Sequence, residues 1–216
     1  MTIYAKTCGL STPDTVNAAL EANAKYVGFV FYPPSPRNLD LDHAETISEV
    51  VGDRALKVGV FVNPDDVFLA GAIKAANLDY VQLHGNEPVE RVQYIQKRFN
   101  IKVIKAISVA SVSDISRARE YEKYADILLF DAKPPVDLND ALPGGNGIEF
   151  DWKLIAGTEW KIPWMLSGGL DATNVKEAIK ISGAKIVDVS SDLEEEPGRK
   201  SIEKINTFME ALQDIE

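Results

Sequence analysis

Cysteine is almost missing: Cys8 is the only one in the chain, so no intrachain disulfide and no cysteine-rich zinc site can form. Histidine is nearly as scarce, with His43 and His84 alone, and no cluster of metal ligands stands out in the sequence. Basic charge is in deficit, because 23 Lys and Arg against 33 Asp and Glu leave a formal net charge of −10. A nucleic-acid footprint needs a basic face, and this balance argues against one. An anionic small molecule stays open, since backbone N–H groups at helix N-termini hold anions whatever the overall charge. No apolar run approaches the roughly 18 residues of a membrane span. The opening Met1-Thr2-Ile3-Tyr4-Ala5-Lys6 lacks the apolar stretch of a signal peptide and reads as a strand. These absences lead to an expected cytoplasmic protein with neither a membrane nor a nucleic-acid partner.

What is present is alternation. With 45% hydrophobic and 26% charged residues, the chain can bury a full core. Short β-branched runs are each followed by a longer amphipathic stretch, and the cycle repeats eight times. Strands are predicted at Ile3 to Cys8, Tyr26 to Phe31, Leu56 to Val62, Tyr80 to Leu83, Lys102 to Ile107, Ile127 to Asp131, Trp164 to Ser167 and Lys185 to Val189. Helices are predicted near Thr12 to Ala24, Asp42 to Val51, Asp65 to Ala76, Pro88 to Lys97, Ser111 to Tyr124, Asp151 to Ala156, Thr173 to Ile181 and Lys200 to Leu212. Asp42, Asp65 and Thr173 are N-cap residue types, and Pro13 and Pro88 suit a first helical turn. Strands alternating with helices pair in parallel through right-handed crossovers. Eight such units in 216 residues point to an α/β fold closed as a (βα)8 TIM barrel, with residues 1–216 forming a single domain. An open dinucleotide-binding sheet would want G-x-G-x-x-G after the first strand, and Lys6-Thr7-Cys8-Gly9-Leu10 is not that.

In such a barrel the active site lies at the C-terminal ends of the strands. The residues there are Cys8, the Pro33-Pro34-Ser35-Pro36-Arg37 loop, Asn63, His84, Asp131, Ser167-Gly168-Gly169 and Ser190-Ser191. Cys8 ends the first strand before Gly9, and a nearby cation or helix N-terminus would lower its pKa toward use as base or nucleophile; a buried apolar cysteine is the plain alternative. Asp131 follows Ile127-Leu128-Leu129-Phe130, where partial desolvation would raise its pKa toward general-acid work; an N-cap or loop ion pair competes. Arg37 follows three prolines and a serine, and its planar fork suits a carboxylate or phosphate. A surface pair with Asp40 or Asp42 would also explain it. His84 reads equally as a substrate-positioning group or a hydrogen-bonded structural histidine, and His43 as surface. Ser167-Gly168-Gly169 and Ser190-Ser191 end the last two strands, where barrels hold phosphate on backbone N–H groups, with serine hydroxyls as added donors. The irregular stretch Ala132 to Gly147, which includes Pro134, Pro135, Pro143, Gly144 and Gly145, reads as a lid or as a surface insertion.

These same residues carry a resemblance. Lys6-Thr7-Cys8-Gly9-Leu10 resembles the K-I-C-G opening of phosphoribosylanthranilate isomerases, with threonine where isoleucine is usual. Gly28 to Arg37, Val58 to Asn63, Val81 to Gly85, Gly144-Gly145-Asn146-Gly147 with Phe150-Asp151-Trp152, Leu166 to Leu170, and Asp188 to Ser191 are similar to further family motifs. The matches run from residue 6 to about residue 200. The resemblance implies an isomerase of tryptophan biosynthesis that opens the ribose ring of N-(5'-phosphoribosyl)anthranilate and delivers a 1-deoxyribulose 5-phosphate. It implies Asp131 as general acid and Cys8 as general base. Arg37 falls to the anthranilate carboxylate. His84, Gly168, Gly169, Ser190 and Ser191 are expected to bind substrate from their place on the same rim. No cofactor and no metal are implied, and the protomer is expected as monomer or homodimer.

The chain departs from the family at Asp192, where glycine is usual between Ser191 and Leu193. Aspartate tolerates left-handed backbone geometry, so the loop is expected to keep its shape with the carboxylate turned from the ligand. Other readings remain. An indoleglycerol-phosphate synthase would need catalytic lysines, and Lys105 is placed to point into the barrel. A pentose-phosphate epimerase would need a metal-binding set for which two histidines are too few. A binding barrel without catalysis is the third.

Overall fold

The computed structural model describes residues 2–134 and 142–213. Eight parallel strands close into a barrel in sequence order. They are β1 (Tyr4–Cys8), β2 (Tyr26–Phe31), β3 (Leu56–Phe61), β4 (Tyr80–Leu83), β5 (Lys102–Val109), β6 (Ile127–Ala132), β7 (Trp164–Leu166) and β8 (Ile186–Val189). The connecting helices are α1 (Pro13–Glu21), α2 (Leu41–Val51), α3 (Asp66–Ala75), α4 (Val89–Phe99), α5 (Val112–Ala118), α6 (Val175–Ser182) and α7 (Ile202–Gln213). β2 is buried at every position, as a parallel strand covered on both faces must be. Successive strand residues face opposite sides. Tyr26, Val58, Ile104, Leu129, Met165 and Ile186 fill the barrel, while Val27, Phe29, Leu128 and Phe130 meet the helices. Each helix brings one apolar stripe to that outer core: Val175, Ala178, Ile179 and Ser182 of α6 are buried at helical spacing.

The start signals hold in part. Thr12 caps α1 ahead of Pro13, and Asp65 caps α3 by accepting from Phe68 N at 2.8 Å. For α2 the cap is Asp40, not Asp42, because the Asp40 carboxylate accepts from His43 N at 2.8 Å. Asn174, not Thr173, stands at the cap of α6, and Pro88 is the cap of α4, not a first-turn residue.

Two predicted helices are displaced. Asp151 to Ala156 forms only a 3-10 turn at Trp152–Leu154. The stretch is cut short by Gly157 in the left-handed region (φ 70°), and a helix this brief does not repay its nucleation. Trp160 and Trp164 cover β6 instead, with ring centroids 5.0 and 5.8 Å from Phe130. The last helix starts at Ile202, because Lys200 belongs to a small antiparallel hairpin of β9 (Glu194–Glu196) and β10 (Arg199–Lys200).

Lys105 faces outward, between the interior residues Ile104 and Ala106. Its ammonium donates to the Leu83 and Gly85 carbonyls (3.1 and 2.7 Å) and to Glu87 (2.9 Å). It therefore anchors the loop after β4 and does not reach the barrel mouth. The catalytic lysine of a synthase is not there.

Candidate active site

The expected residues converge at the C-terminal mouth of the barrel. Cys8, Arg37, His84 and Asp131 line one cleft. Gly168, Gly169, Ser190 and Ser191 line it too. Asn63 does not: its backbone N–H goes to Glu87 at 2.8 Å. His43 is exposed on α2.

Cys8 ends β1 with its sulfur over Gly28, where a Cβ would stand 2.7 Å from Sγ. Glycine at 28 thus makes the room that the thiol occupies. Burial pushes the Cys8 thiol up from its ordinary value, and Lys6 and Lys200 draw it back only in part. The nearby cations expected from the sequence are present, and burial works against them.

Asp131 is buried at the end of β6, 5% exposed. Its Oδ1 accepts from Ala132 N at 2.9 Å and its Oδ2 lies 3.1 Å from His84 Nε2. His84 Nδ1 in turn lies 2.8 Å from Gln82 Nε2. The imidazole is thus bracketed by the Gln82 amide on one side and the Asp131 carboxyl on the other.

Arg37 pairs with neither Asp40 nor Asp42. Its Nε and Nη2 grip Glu194 at 2.6 and 2.8 Å, and Nη2 also reaches the Gly145 carbonyl at 3.3 Å. Lys200 closes the group from behind, donating to Glu194 at 2.6 Å and to the Ser190 carbonyl at 2.8 Å. Burial alone would raise Glu194, but hydrogen bonds from Arg37 and the charge of Lys200 hold its carboxyl below the usual range. Two cations against one anion leave a buried group with one positive charge in excess, and Nη1 is the edge of Arg37 that Glu194 does not take.

The serines differ from expectation. Ser190 donates its hydroxyl to the Cys8 carbonyl at 3.1 Å, and Ser191 donates to Asp192 Oδ2 at 3.0 Å. Both hydroxyls are thus spent inside the protein. Among the described residues, the backbone N–H groups of Gly168, Gly169 and Ser191 have no partner. Gly168 and Gly169 have positive φ (89° and 58°), and a Cβ at Gly168 would lie 2.8 Å from Ala132 N. Asp192 needs no left-handed backbone. It sits in a 3-10 turn, Ser191–Leu193, with its carboxylate turned to the neighbouring serine in the cleft wall.

Of the irregular stretch after β6, residues 135–141, Pro135 included, lie outside the described residues. The described part packs over the cleft: a Cβ at Gly144 would meet the His84 ring and Asp131, and one at Gly145 would stand 2.8 Å from Arg37 Nη1.

Sequence reasoning passed over Lys6, Asp188, Gln82, Glu194 and Lys200. Lys6 donates to Asp188 Oδ1 at 2.8 Å across the β1–β8 ladder, and Ser167 donates to Asp188 Oδ2 at 3.3 Å. A signal existed for two of them: Lys6 precedes Cys8 by two residues and Asp188 precedes Ser190 by two, the strand spacing that shares a face. Glu194 heads three consecutive glutamates, and nothing local marks the first as buried. Among the described residues no group of three His, Cys, Asp or Glu side chains is placed to hold a metal ion, and no helix is long and apolar enough to cross a membrane.

The chain is similar to known proteins over nearly its whole length. Residues 5–211 match the family of N-(5'phosphoribosyl)anthranilate (PRA) isomerase. The N-(5'-phosphoribosyl)anthranilate isomerase of Parvibaculum lavamentivorans is 49% identical over 213 residues, 99% of each chain. The crystal structure of the Thermotoga maritima phosphoribosyl anthranilate isomerase superposes with a TM-score of 0.87 at 35% identity, covering 98% of this chain and 99% of that one. A phosphoribosyl anthranilate isomerase in complex with reduced 1-(o-carboxyphenylamino)-1-deoxyribulose 5-phosphate gives a TM-score of 0.83 at 33% identity, with 98% and 99% covered. The chain belongs to the phosphoribosylanthranilate isomerase family.

Proposed function

We propose that this chain converts N-(5'-phosphoribosyl)anthranilate to 1-(2-carboxyphenylamino)-1-deoxyribulose 5-phosphate, with Asp131 as acid and Cys8 as base. The observation that carries the reading is one cleft holding both a buried carboxyl and a buried thiol, flanked by a cationic group and a ring of unpaired N–H groups. Asp131 delivers a proton to the ribose ring oxygen as the C1′–O bond breaks, and the anthranilate nitrogen supplies the electron pair for a protonated Schiff base. The Cys8 thiolate takes the C2′ proton. The released electron pair forms C1′=C2′, the C=N pair returns to nitrogen, and the resulting enolamine tautomerises to the ketone. His84 holds Asp131 in place through Nε2. Arg37 Nη1 receives the substrate carboxylate, which neutralises the excess charge of the Arg37–Glu194–Lys200 group. The phosphate rests on the backbone N–H groups of Gly168, Gly169, Ser190 and Ser191. A single unpaired cysteine suits a cytoplasmic enzyme.

Turnover of freshly made phosphoribosylanthranilate, followed by loss of anthranilate fluorescence, tests the reading. Cys8→Ala and Asp131→Asn are each expected to lower kcat by about 100-fold or more with smaller changes in KM. Near-parental turnover in either variant removes that residue from the mechanism.

A further inference from the structure

Lys6 and Asp188 form an ion pair whose side chains are 0% and 5% exposed, one layer below the reacting groups. Stability does not account for it, because a buried ion pair is often replaced by apolar residues without loss. The surrounding interior positions, Tyr26, Ile104, Met165 and Ile186, show that this barrel is otherwise filled that way. Its placement is more telling. The strand repeat sets Lys6 and Cys8 on the same face of β1, and the ladder pairs Lys6 with Asp188 on β8. Asp188 and Cys8 both line the cleft.

We propose that the Lys6–Asp188 pair is a positioning device for the Cys8 base: the Lys6 ammonium supports the thiolate that accepts the C2′ proton, and Asp188 fixes that ammonium under the sulfur. This rests on the reading of Cys8 as base. Lys6 keeps its proton throughout, and only Cys8 changes protonation, from thiolate to thiol as the C2′–H bond breaks.

The charged groups around Cys8 are few. Lys6 faces it from β1, Asp188 from β8 and Lys200 from β10, while β2 presents Gly28, which has no side chain. Lys200 is turned to Glu194, which it shares with Arg37, and to the Ser190 carbonyl. Of the two cations, Lys6 draws the thiol down more strongly, and it stands two residues before Cys8 on the same face of β1. Although burial alone would push Lys6 down, Asp188 and Cys8 together hold it above its ordinary value, so it stays charged across the working range.

Cys8 is the only cysteine, which lets iodoacetamide alkylation against pH report its thiolate alone. In Lys6→Met the alkylation midpoint is expected to rise by about one to three pH units, and in Asp188→Asn to fall. The acid limb of kcat/KM is expected to move in step with each midpoint. A merely structural role behaves differently, because loosening the barrel hydrates the thiol and lowers both midpoints. Should Lys6→Met not fold, Lys6→Met with Asp188→Leu replaces the pair by apolar groups, and its midpoint is expected above that of Asp188→Asn. An unmoved or lowered midpoint in the variants lacking Lys6 overturns the coupling while leaving Cys8 as base. Midpoints that move as stated while the kcat/KM limb stays fixed overturn the base reading, and the proposal with it.

Discussion

Asp192→Gly introduces the glycine that the family resemblance leads one to expect at this position, and its effect follows from the surroundings of Asp192. Asp192 lines the cleft in the turn after Ser190, across from Gly168 and Gly169. Its carboxylate would stand near a phosphate held by those loops, and it occupies the Ser191 hydroxyl at 3.0 Å. For unit charges about 6 Å apart at an effective dielectric of about 20, repulsion is roughly 3 kcal/mol. Asp192 is partly exposed, so solvent and salt reduce this to about 1 kcal/mol or less. Releasing the Ser191 hydroxyl adds one donor, offset by the water it already binds when free, for roughly 0.5 kcal/mol. Together these lower KM by about tenfold at most, close to 1.4 kcal/mol, and leave kcat nearly unchanged because the phosphate is remote from the reacting carbons. The turn itself is no obstacle, since Asp192 has an ordinary backbone conformation. The assay is anthranilate fluorescence loss at several ionic strengths, with the gain expected to shrink as salt rises. A gain beyond about 100-fold, or a rise in kcat, would refute the reasoning by putting the carboxylate head-on to the phosphate; no change at any ionic strength would place the phosphate elsewhere.

Further outcomes are expected elsewhere in the structure. Arg37→Met is expected to weaken a product analogue bearing the anthranilate carboxylate by roughly tenfold more than one lacking it, and equal losses measured by calorimetry would return Arg37 to a purely structural role. Gly28→Ala brings a Cβ within 2.7 Å of the Cys8 sulfur and 3.1 Å of its Cα; stability is expected to drop by about 1–3 kcal/mol and kcat to fall with it, whereas unchanged turnover and Tm would show that the thiol does not need that space. Asp171 accepts from the Thr173 hydroxyl and Thr173 N, both at 2.6 Å, and from Asn174 N at 3.0 Å, and although burial opposes it, these bonds hold its carboxyl below the ordinary 3.8. A carboxyl depressed in the folded state stabilises above its unfolded value and loses that contribution as pH falls through the folded one. Asp171→Ala is therefore expected to cost about 1 kcal/mol near neutrality, with the deficit closing below the ordinary carboxylate range; a deficit that persists unchanged in acid urea titrations would point to packing instead.

The barrel was legible because its strands advertise themselves. Tyr26 to Phe31 and Tyr80 to Leu83 fall where the β-branched and aromatic runs put them, and the rim residues follow once the strand ends are known. Local rules failed where a distant partner decides. Whether Asp40 or Asp42 caps α2 depends on where the loop after β2 delivers the chain, since both are competent caps. The Arg37 fork is taken by Glu194, 157 residues away, and no pattern near Arg37 announces it. The serine hydroxyls looked like phosphate donors because their spending on the Cys8 carbonyl and on Asp192 is visible only in three dimensions. Lys105 falls outside the barrel because the alternation along β5 puts Ile104 and Ala106 inside, and the sequence of the strand does not say which face is which.

The missing helix behind β6 has a spectroscopic consequence. All three tryptophans, Trp152, Trp160 and Trp164, fall in that single sector, with two of them packed against Phe130, the residue that precedes Asp131. Indole emission thus comes from one wall of the molecule, directly behind the cleft. Anthranilate absorbs where buried indole emits, so a bound substrate or product should act as an energy acceptor for these donors. Binding would register as quenched tryptophan emission, giving an optical readout of occupancy that needs no label and, with product as the ligand, is separate from turnover.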